Sequence, residues 1–331
     1  MATGVVIGKF MPPHLGHLHL IEQARRQVDE LVVLVCSLPD EPIPGEVRFA
    51  WMTELRPDAR VVHVTDQNPT EPHEHEDFWD IWVETIRRRV TAPDIVFTSE
   101  DYGAELARRV GARHVSIDRE RRAFPVSGTA IRNDPFAHWK FIPEAVRPWF
   151  AGRVVLTGSE CVGKTTLARE LALHFDTVWV SEFGREYVDR KGVFPDASDV
   201  EPIARGQIAK EDSFARAANR IMILDTDLIS TCVYAEHYYG VCQDWIREAS
   251  IDRATGLYLL LDIDVPWTPD PPNRDRGHMR EEMQELFRAA LEERDITWVD
   301  IRGSWEERRE AAIAAIEARW PQVAGHSDVR P

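Results

Sequence analysis

The sequence is poor in the features that mark several common classes of protein. Its four cysteines, Cys36, Cys161, Cys232 and Cys242, show no C-x-x-C spacing. That argues against zinc and against a disulfide framework, and suits reduced thiols in a cytosolic chain. No apolar run approaches the roughly 18–20 residues needed to span a bilayer, and the N-terminus lacks the basic start and long apolar core of a signal peptide. A cytoplasmic location without stable membrane insertion is expected. Positive charge is also short: 40 Lys and Arg stand against 56 Asp and Glu, a formal net charge of −16. A nucleic-acid-binding surface needs clustered basic side chains, so nucleic acid is not an expected partner. A local basic pocket for a nucleotide remains compatible with this balance.

What is present fits an ordinary globular chain. A length of 331 residues favours two domains, and 44% hydrophobic content supplies apolar mass for two cores. Near the midpoint, Val154-Val155-Leu156 runs into Thr157-Gly158-Ser159-Glu160-Cys161-Val162-Gly163-Lys164-Thr165-Thr166, and Leu167, Ala168, Leu171 and Ala172 continue at helical spacing. Strand, glycine-bearing turn and helix in that order give G-x-x-x-x-G-K-T the context of a phosphate site. The backbone N–H groups of residues 158–163 and the positive end of the helix cradle a phosphate. Lys164 reaches the β- and γ-phosphates of ATP, Thr166 extends the cradle, and the Thr165 hydroxyl suits Mg²⁺. Domains are expected at 1–150 and 151–331.

The first half alternates short valine-rich runs with amphipathic segments. Strands are expected at 4–7, 31–36, 60–64, 95–98 and 114–117, and helices after residue 17 and at 47–55, 78–90 and 102–110. Such alternation predicts a doubly wound parallel sheet. At the carboxyl edge of the first strand stands Gly8-Lys9-Phe10-Met11-Pro12-Pro13-His14-Leu15-Gly16-His17. Two imidazoles at a helix start can donate to phosphate oxygens. Their spacing of three also suits a metal, but no third ligand stands nearby; plain surface histidines are the other alternative. Further on, Ser127-Gly128-Thr129-Ala130-Ile131-Arg132 places hydroxyls at a helix start with a guanidinium one turn later, a second anion clamp.

In the second half, a strand at 177–180 leads into Ser181-Glu182-Phe183-Gly184-Arg185-Glu186-Tyr187-Val188. At a strand's carboxyl end Glu182 is placed to take a proton from a hydroxyl and Arg185 to hold a phosphate. A long helix is expected at 203–219. The strand 221–224 then ends in Asp225-Thr226-Asp227, a Walker-B arrangement in which a carboxylate reaches Mg²⁺ directly or through water. Strands are expected again at 257–262 and 297–301, and a helix at 305–320. Between them, Pro266-Trp267-Thr268-Pro269-Asp270-Pro271-Pro272-Asn273-Arg274-Asp275-Arg276 reads either as a lid or as a disordered loop. As a lid it places Arg274 or Arg276 on the transferring phosphoryl group, and Trp267 over a flat ring.

Together the Gly8-to-His17 and Ser127-to-Arg132 motifs resemble the nucleotidyltransferases that carry HxGH and ISSTxxR-type signatures. With Asn133-Asp134-Pro135-Phe136, Trp139-Lys140-Phe141-Ile142-Pro143 and then the phosphate loop, nearly the whole chain resembles the bifunctional NadR type. The resemblance implies a Rossmann-like nucleotidyltransferase sheet followed by a P-loop kinase sheet. It implies nicotinamide-nucleotide adenylyltransferase and ribosylnicotinamide kinase activities, with ATP, nicotinamide riboside, nicotinamide mononucleotide and NAD as the small molecules handled. On it, His14 and His17 contact ATP phosphates, Gly8 and Phe10 belong to the same nucleotide-binding turn, and Lys9, Ser127, Thr129 and Arg132 hold the leaving pyrophosphate. Trp79 or Trp82 either stacks on nicotinamide or belongs to the core. Because the first strand starts at residue 4, a helix-turn-helix repressor domain is not expected. A homo-oligomer is left open. Two rivals stand outside this pair of activities: another nucleotidyltransferase–kinase fusion, of flavin or pantetheine metabolism, and a regulatory sensor of NAD and ATP.

Overall fold

The structure, a computed structural model, describes residues 1–267 and 279–324. The chain divides into two compact units, Met1–Val146 and Arg147–Pro331. The first unit alternates β1 (Thr3–Gly8), α1 (Leu15–Arg25), β2 (Glu30–Cys36), α2 (Gly45–Leu55), β3 (Arg60–Val64), α3 (Phe78–Arg87), β4 (Ile95–Thr98), α4 (Gly103–Val110), β5 (Arg113–Ser116) and the short α5 (Gly128–Asn133). All five strands are parallel, in the order β3-β2-β1-β4-β5.

Strand alternation explains why the valine-rich runs are buried throughout. Val6, Val33, Val35 and Phe97 face one side and pack with Leu20, Ile21, Ala24 and Met52 of α1 and α2. Val5, Val32, Leu34 and Val96 face the other and pack with Ile86, Leu106 and Ala107 of α3 and α4. Both faces are thus covered, the condition under which a parallel strand reads as a continuous apolar run. The chain reverses its winding direction between β1 and β4, so the ligand crevice of the sheet lies at their carboxyl ends.

The second unit contains α6 (Arg147–Phe150), β6 (Gly152–Thr157), α7 (Lys164–His174), β7 (Val178–Val180), α8 (Phe183–Lys191), α9 (Val200–Ala215), β8 (Ile221–Asp225), α10 (Leu228–Tyr239), α11 (Asp244–Asp252), β9 (Leu257–Leu261), α12 (Arg280–Glu293), β10 (Trp298–Ile301) and α13 (Trp305–Arg319). Its sheet is again parallel, in the order β10-β9-β6-β8-β7, with the phosphate-loop strand at the centre. No helix among the described residues is long and apolar enough to cross a membrane.

Several elements differ from the sequence reading for local reasons. The long helix starts three residues early because Asp196 caps a 3-10 turn at Ala197–Asp199 that leads straight into it. It ends at Ala215, short of the expected 219; beyond it Asn219 bridges to Ile221 and Arg220 has a positive φ of 66°. Residues Arg147–Phe150 form a helical turn. Helices α11 and α12 were not anticipated at all. In α12 Met283, Phe287, Ala290 and Leu291 make a buried stripe that was legible but overshadowed by the proline-rich segment before it.

One buried polar network fixes the corner between β7 and α8. Gln207 accepts from the Phe183 N–H at 2.9 Å and donates to Glu211 at 3.0 Å. Glu211, only 1% exposed, is gripped by Arg153 and by Arg253 at 3.1 Å. Both arginines keep some contact with water, so removing the acid strands less than a fully buried charge pair would. Glu211→Ala is expected to destabilise the C-terminal unit by about 1–3 kcal/mol. Urea unfolding checks this, and an unchanged midpoint would mean the network contributes nothing net.

Candidate active sites

The turn after β1 packs two histidines against each other. His14 occupies the N-cap position of α1 in extended backbone, with φ −144° and ψ 168°, and its side chain makes no cap hydrogen bond. The His14 and His17 rings are stacked, with centroids 3.7 Å apart and planes 27° apart. Gly16 permits this, because a Cβ there would meet the His14 ring at 3.1 Å. Phe10, buried and at φ 47°, closes the stack from below with its ring edge-on to His17 at 5.0 Å. Both Nδ1 atoms are buried without a hydrogen-bond partner.

Burial decides the charge of this pair. Desolvation, with the Arg121 guanidinium nearby, pulls His14 down to about 4. Desolvation, then His14, then Arg121 hold His17 well below the usual imidazole range. At neutral pH both rings are therefore uncharged, and each carries one N–H for a ligand. The cations around them are held by acids: Lys9 by Glu41 at 3.0 Å, and Arg121 by Glu100 at 2.8 Å. Fully buried Arg48 pairs with the same Glu41 and donates to the carbonyls of Lys9 at 2.6 Å and Cys36 at 3.1 Å, clamping the start of the turn. Neither Arg121 nor Arg48 was legible in the sequence, where one is an arginine among several and the other lies in an ordinary helix.

The second motif meets the first. Arg132 Nη1 donates to the Met11 carbonyl, and Nη2 donates to Thr129 Oγ1 at 3.2 Å. Gly128 is required by this approach: a Cβ there would lie 2.5 Å from the Met11 oxygen. Ser127 Oγ accepts from the Ala130 N–H at 3.1 Å and caps α5. Gly8, ending β1, has Phe10 ring atoms 3.2–3.5 Å from where a Cβ would be. The two tryptophans have packing partners. Trp82 Nε1 donates to the Pro69 carbonyl at 3.0 Å, and Trp79 lies beneath the Arg109 guanidinium at 5.5 Å, both half-buried on the α3–α4 side of the sheet.

In the second unit the phosphate loop is held from behind. Gly158 and Gly163 have φ of 124° and 88°, and a Cβ on Gly158 would strike the Leu261 carbonyl at 2.7 Å. Buried Gln284 accepts from the Ser159 N–H at 3.0 Å and donates to the Leu261 carbonyl at 3.0 Å. Arg280 donates to the Cys161 carbonyl at 3.2 Å, and buried Arg308 to that of Val162 at 2.8 Å. Lys164 Nζ lies over the loop, donating to the carbonyls of Gly158 at 2.9 Å and Ser159 at 2.7 Å.

The loop opens on a cavity of about 260 Å³. Glu160 to Thr166, Glu182, Arg185, Gln207 and Asp225 line one part of it; Phe194, Tyr234, Tyr238 and Tyr239 line another. Tyr234 and Tyr238 are parallel at 6.0 Å, and Phe194 stands edge-on to Tyr238 at 5.6 Å. Thr165 Oγ1 donates to Asp225 Oδ2 at 2.5 Å, which brings the two oxygen groups proposed for Mg²⁺ together. No group of three or more His, Cys, Asp or Glu poised for a metal occurs among the described residues.

Two sequence assignments come out differently. Asp227 is not in the cavity lining. It caps α10, accepting from the N–H groups of Ile229 at 3.0 Å and Ser230 at 3.2 Å, and takes the Tyr258 hydroxyl at 2.6 Å. Burial raises its carboxyl above the usual range despite those bonds. Trp267 is half-buried and also absent from the lining, where tyrosines stand instead. Arg274 and Arg276, with the rest of the proline-rich segment after Trp267, lie outside the described residues.

A parallel sheet with a paired-histidine turn at its switch point and a second parallel sheet that carries a phosphate loop together define an enzyme class that handles nucleotide phosphates twice. Comparison with known proteins agrees. Residues 5–134 match a family described as cytidylyltransferase-like, and residues 153–308 one described as an AAA domain. The chain is 31% identical over 323 residues to the trifunctional NAD biosynthesis/regulator protein NadR of Escherichia coli K12, covering 90% of this chain and 78% of that protein. The Salmonella typhimurium protein of the same description is 30% identical, with the same coverage. A crystal structure of a NadR protein in complex with NR superimposes with a TM-score of 0.79 at 25% identity, over 96% of this chain and 95% of that one. The chain belongs to the NadR family, and it is an enzyme of NAD biosynthesis.

Two outcomes test these assignments. Asp225→Ala should remove phosphoryl transfer from a folded protein, whereas Asp227→Ala should cost roughly 2–4 kcal/mol of stability by uncapping α10 and stranding the Tyr258 hydroxyl. Thermal unfolding beside an activity assay separates them, and the reverse pattern would restore Asp227 to the reaction. For His14, the folded value near 4 lies below the unfolded value of 6.5, so the unfolded state binds more protons between those limits. Stability of the N-terminal unit should fall as pH drops through that window. NMR titration of the His14 ring gives the midpoint directly, and one near 6.5 would mean that the ring is solvated.

Proposed function

We propose that the C-terminal unit transfers the γ-phosphoryl group of ATP to the 5′-hydroxyl of nicotinamide riboside. The N-terminal unit then joins the AMP moiety of a second ATP to the resulting mononucleotide, releasing pyrophosphate and NAD. The observation that supports this best is that one continuous cavity runs from the phosphate loop to a wall of tyrosines. Nicotinamide in a riboside is a flat pyridinium cation, and tyrosine faces attract such a cation through their quadrupoles.

In the kinase cavity, Lys164 neutralises charge on the β- and γ-phosphates, Glu182 accepts the proton of the attacking hydroxyl, and Arg185 holds phosphate. The Thr165 hydroxyl and the Asp225 carboxylate are hard oxygen donors beside the loop and would hold Mg²⁺. When bound, the ion supplies charge neutralisation. Gln207 keeps the Phe183 amide, and with it the neighbouring Glu182, in place. In the other unit the nucleophile is the mononucleotide's own phosphate oxygen. Neutral His14 and His17 donate N–H groups to the ATP phosphates, His17 at the α-phosphate, while Lys9, Ser127, Thr129 and Arg132 hold the departing pyrophosphate. Catalysis there is positioning plus charge stabilisation.

The two activities should separate by mutation. Lys164→Ala is expected to abolish riboside phosphorylation and to leave NAD formation from the mononucleotide near normal. His17→Ala should do the opposite, lowering adenylyl transfer about a hundred- to a thousandfold, mainly in kcat. Steady-state assays of both reactions on protein shown to be folded provide the check. Equal loss of both activities in either variant would refute the assignment.

A further inference from the structure

A second aromatic surface touches the phosphate loop from outside the cavity. Trp305, the first residue of α13, lays its indole against Gly163: a Cβ on that glycine would lie 2.3 and 2.4 Å from two ring atoms. Trp305 is absent from the cavity lining, and it remains 53% exposed. Its place is firmly set. Ser304 and Glu307 form a reciprocal cap at the start of α13. Arg308, 1% exposed, has its guanidinium 5.7 Å from the indole centre and donates to the carbonyls of Val162 at 2.8 Å, Asp262 at 2.8 Å and Gly303 at 3.0 Å. Indole and phosphate loop therefore hold together through one buried arginine, while half of the indole stays open to a ligand.

The geometry of phosphoryl transfer says what that ligand is. Acceptor oxygen, γ-phosphorus and leaving oxygen stand roughly in line. With the acceptor riboside in the cavity, the rest of the nucleotide extends from the γ-phosphate away from it, so the adenosine leaves the loop outside the cavity. We infer that the exposed face of Trp305 is the platform on which the adenine of ATP stacks, making Trp305 a nucleotide-affinity residue of the kinase site. The inference rests on the kinase reading above. A purely structural role, filling the space over Gly163, predicts something different: the phosphate grip itself would weaken when the indole is lost.

Inorganic tripolyphosphate, which carries the phosphates without the base, distinguishes the two. Riboside phosphorylation is measured with Trp305→Ala and Trp305→Phe, recording the KM for ATP, kcat, and the Ki of tripolyphosphate as a competitor of ATP. Loss of one base-stacking contact corresponds to roughly a ten- to hundredfold change in affinity. Trp305→Ala should raise the KM for ATP by about that factor, with kcat and the tripolyphosphate Ki near parental, and Trp305→Phe should recover most of the affinity. NAD formation from the mononucleotide, which uses the other unit, should be unaffected. An unchanged KM for ATP, or a KM and a Ki that rise together, would overturn the platform. If the parental protein phosphorylates no riboside, the kinase reading falls and the platform falls with it. If it does so and only the Trp305 result fails, the kinase reading stands.

Discussion

The constraint that shapes this molecule is that an acidic chain, with a formal net charge of −16, has to hold polyanionic ligands. Long-range attraction is not available to it, so positive potential is built locally and at close quarters. Most of it comes from backbone N–H groups, aimed by glycines at the carboxyl ends of two central parallel strands. Three of the side-chain cations are fixed by a carboxylate or by carbonyls: Lys9 by Glu41, Arg121 by Glu100, and Lys164 by Gly158 and Ser159. A cation held this way is pre-aimed, and a phosphate reaches it by displacing a known partner. The histidine stack carries the logic furthest, since its donors need no charge at all. Burial keeps both imidazoles neutral, and a neutral N–H costs less to desolvate than an imidazolium.

Glycine spacing and valine runs made the framework legible. Strands β3 and β4 fall at the bounds read from the sequence, 60–64 and 95–98, because an apolar run bounded by polar turns has little choice of limits. Both phosphate motifs were readable for a similar reason: close backbone approach demands glycine, as at Gly128 over Met11 and Gly158 over Leu261. The supporting residues were not readable. Arg48, Gln284 and Arg308 are polar side chains buried by long-range contacts, and nothing in their immediate sequence distinguishes them from solvated helix residues. Gln207 and Glu211 offered a fainter clue, lying with Ala204 and Ala215 on the buried stripe of α9.

Asp225 and Asp227 show where periodicity misleads. In a continuing strand, residues two apart face the same way, and both carboxylates would look toward the phosphate loop. Thr226 ends that regularity with a φ of 91°, in a region that a β-branched residue rarely enters. The chain turns there, and Asp227 becomes the cap of α10 while Asp225 stays opposite Thr165. Strain at Thr226 is stored beside the site, where surrounding structure over-determines it: α10 is pinned on one side by the Asp227–Tyr258 bond and buried on the other against α9 and α11.

That pinning matters because α10 carries much of the aromatic wall. Tyr234, Tyr238 and Tyr239 all project from it into the cavity, so the cap that holds α10 also sets the distance between the phosphate loop and the wall. The two ends of the cavity then suit opposite charges. On the proposed kinase reading, amides and Lys164 at one end meet the phosphates of ATP, and tyrosine faces at the other, on an acidic protein, meet a cationic ring. An overall negative charge is a handicap for the first ligand and an advantage for the second. On that reading the chain resolves the conflict by confining its positive potential to the loop, where it does not reach far enough to repel the riboside.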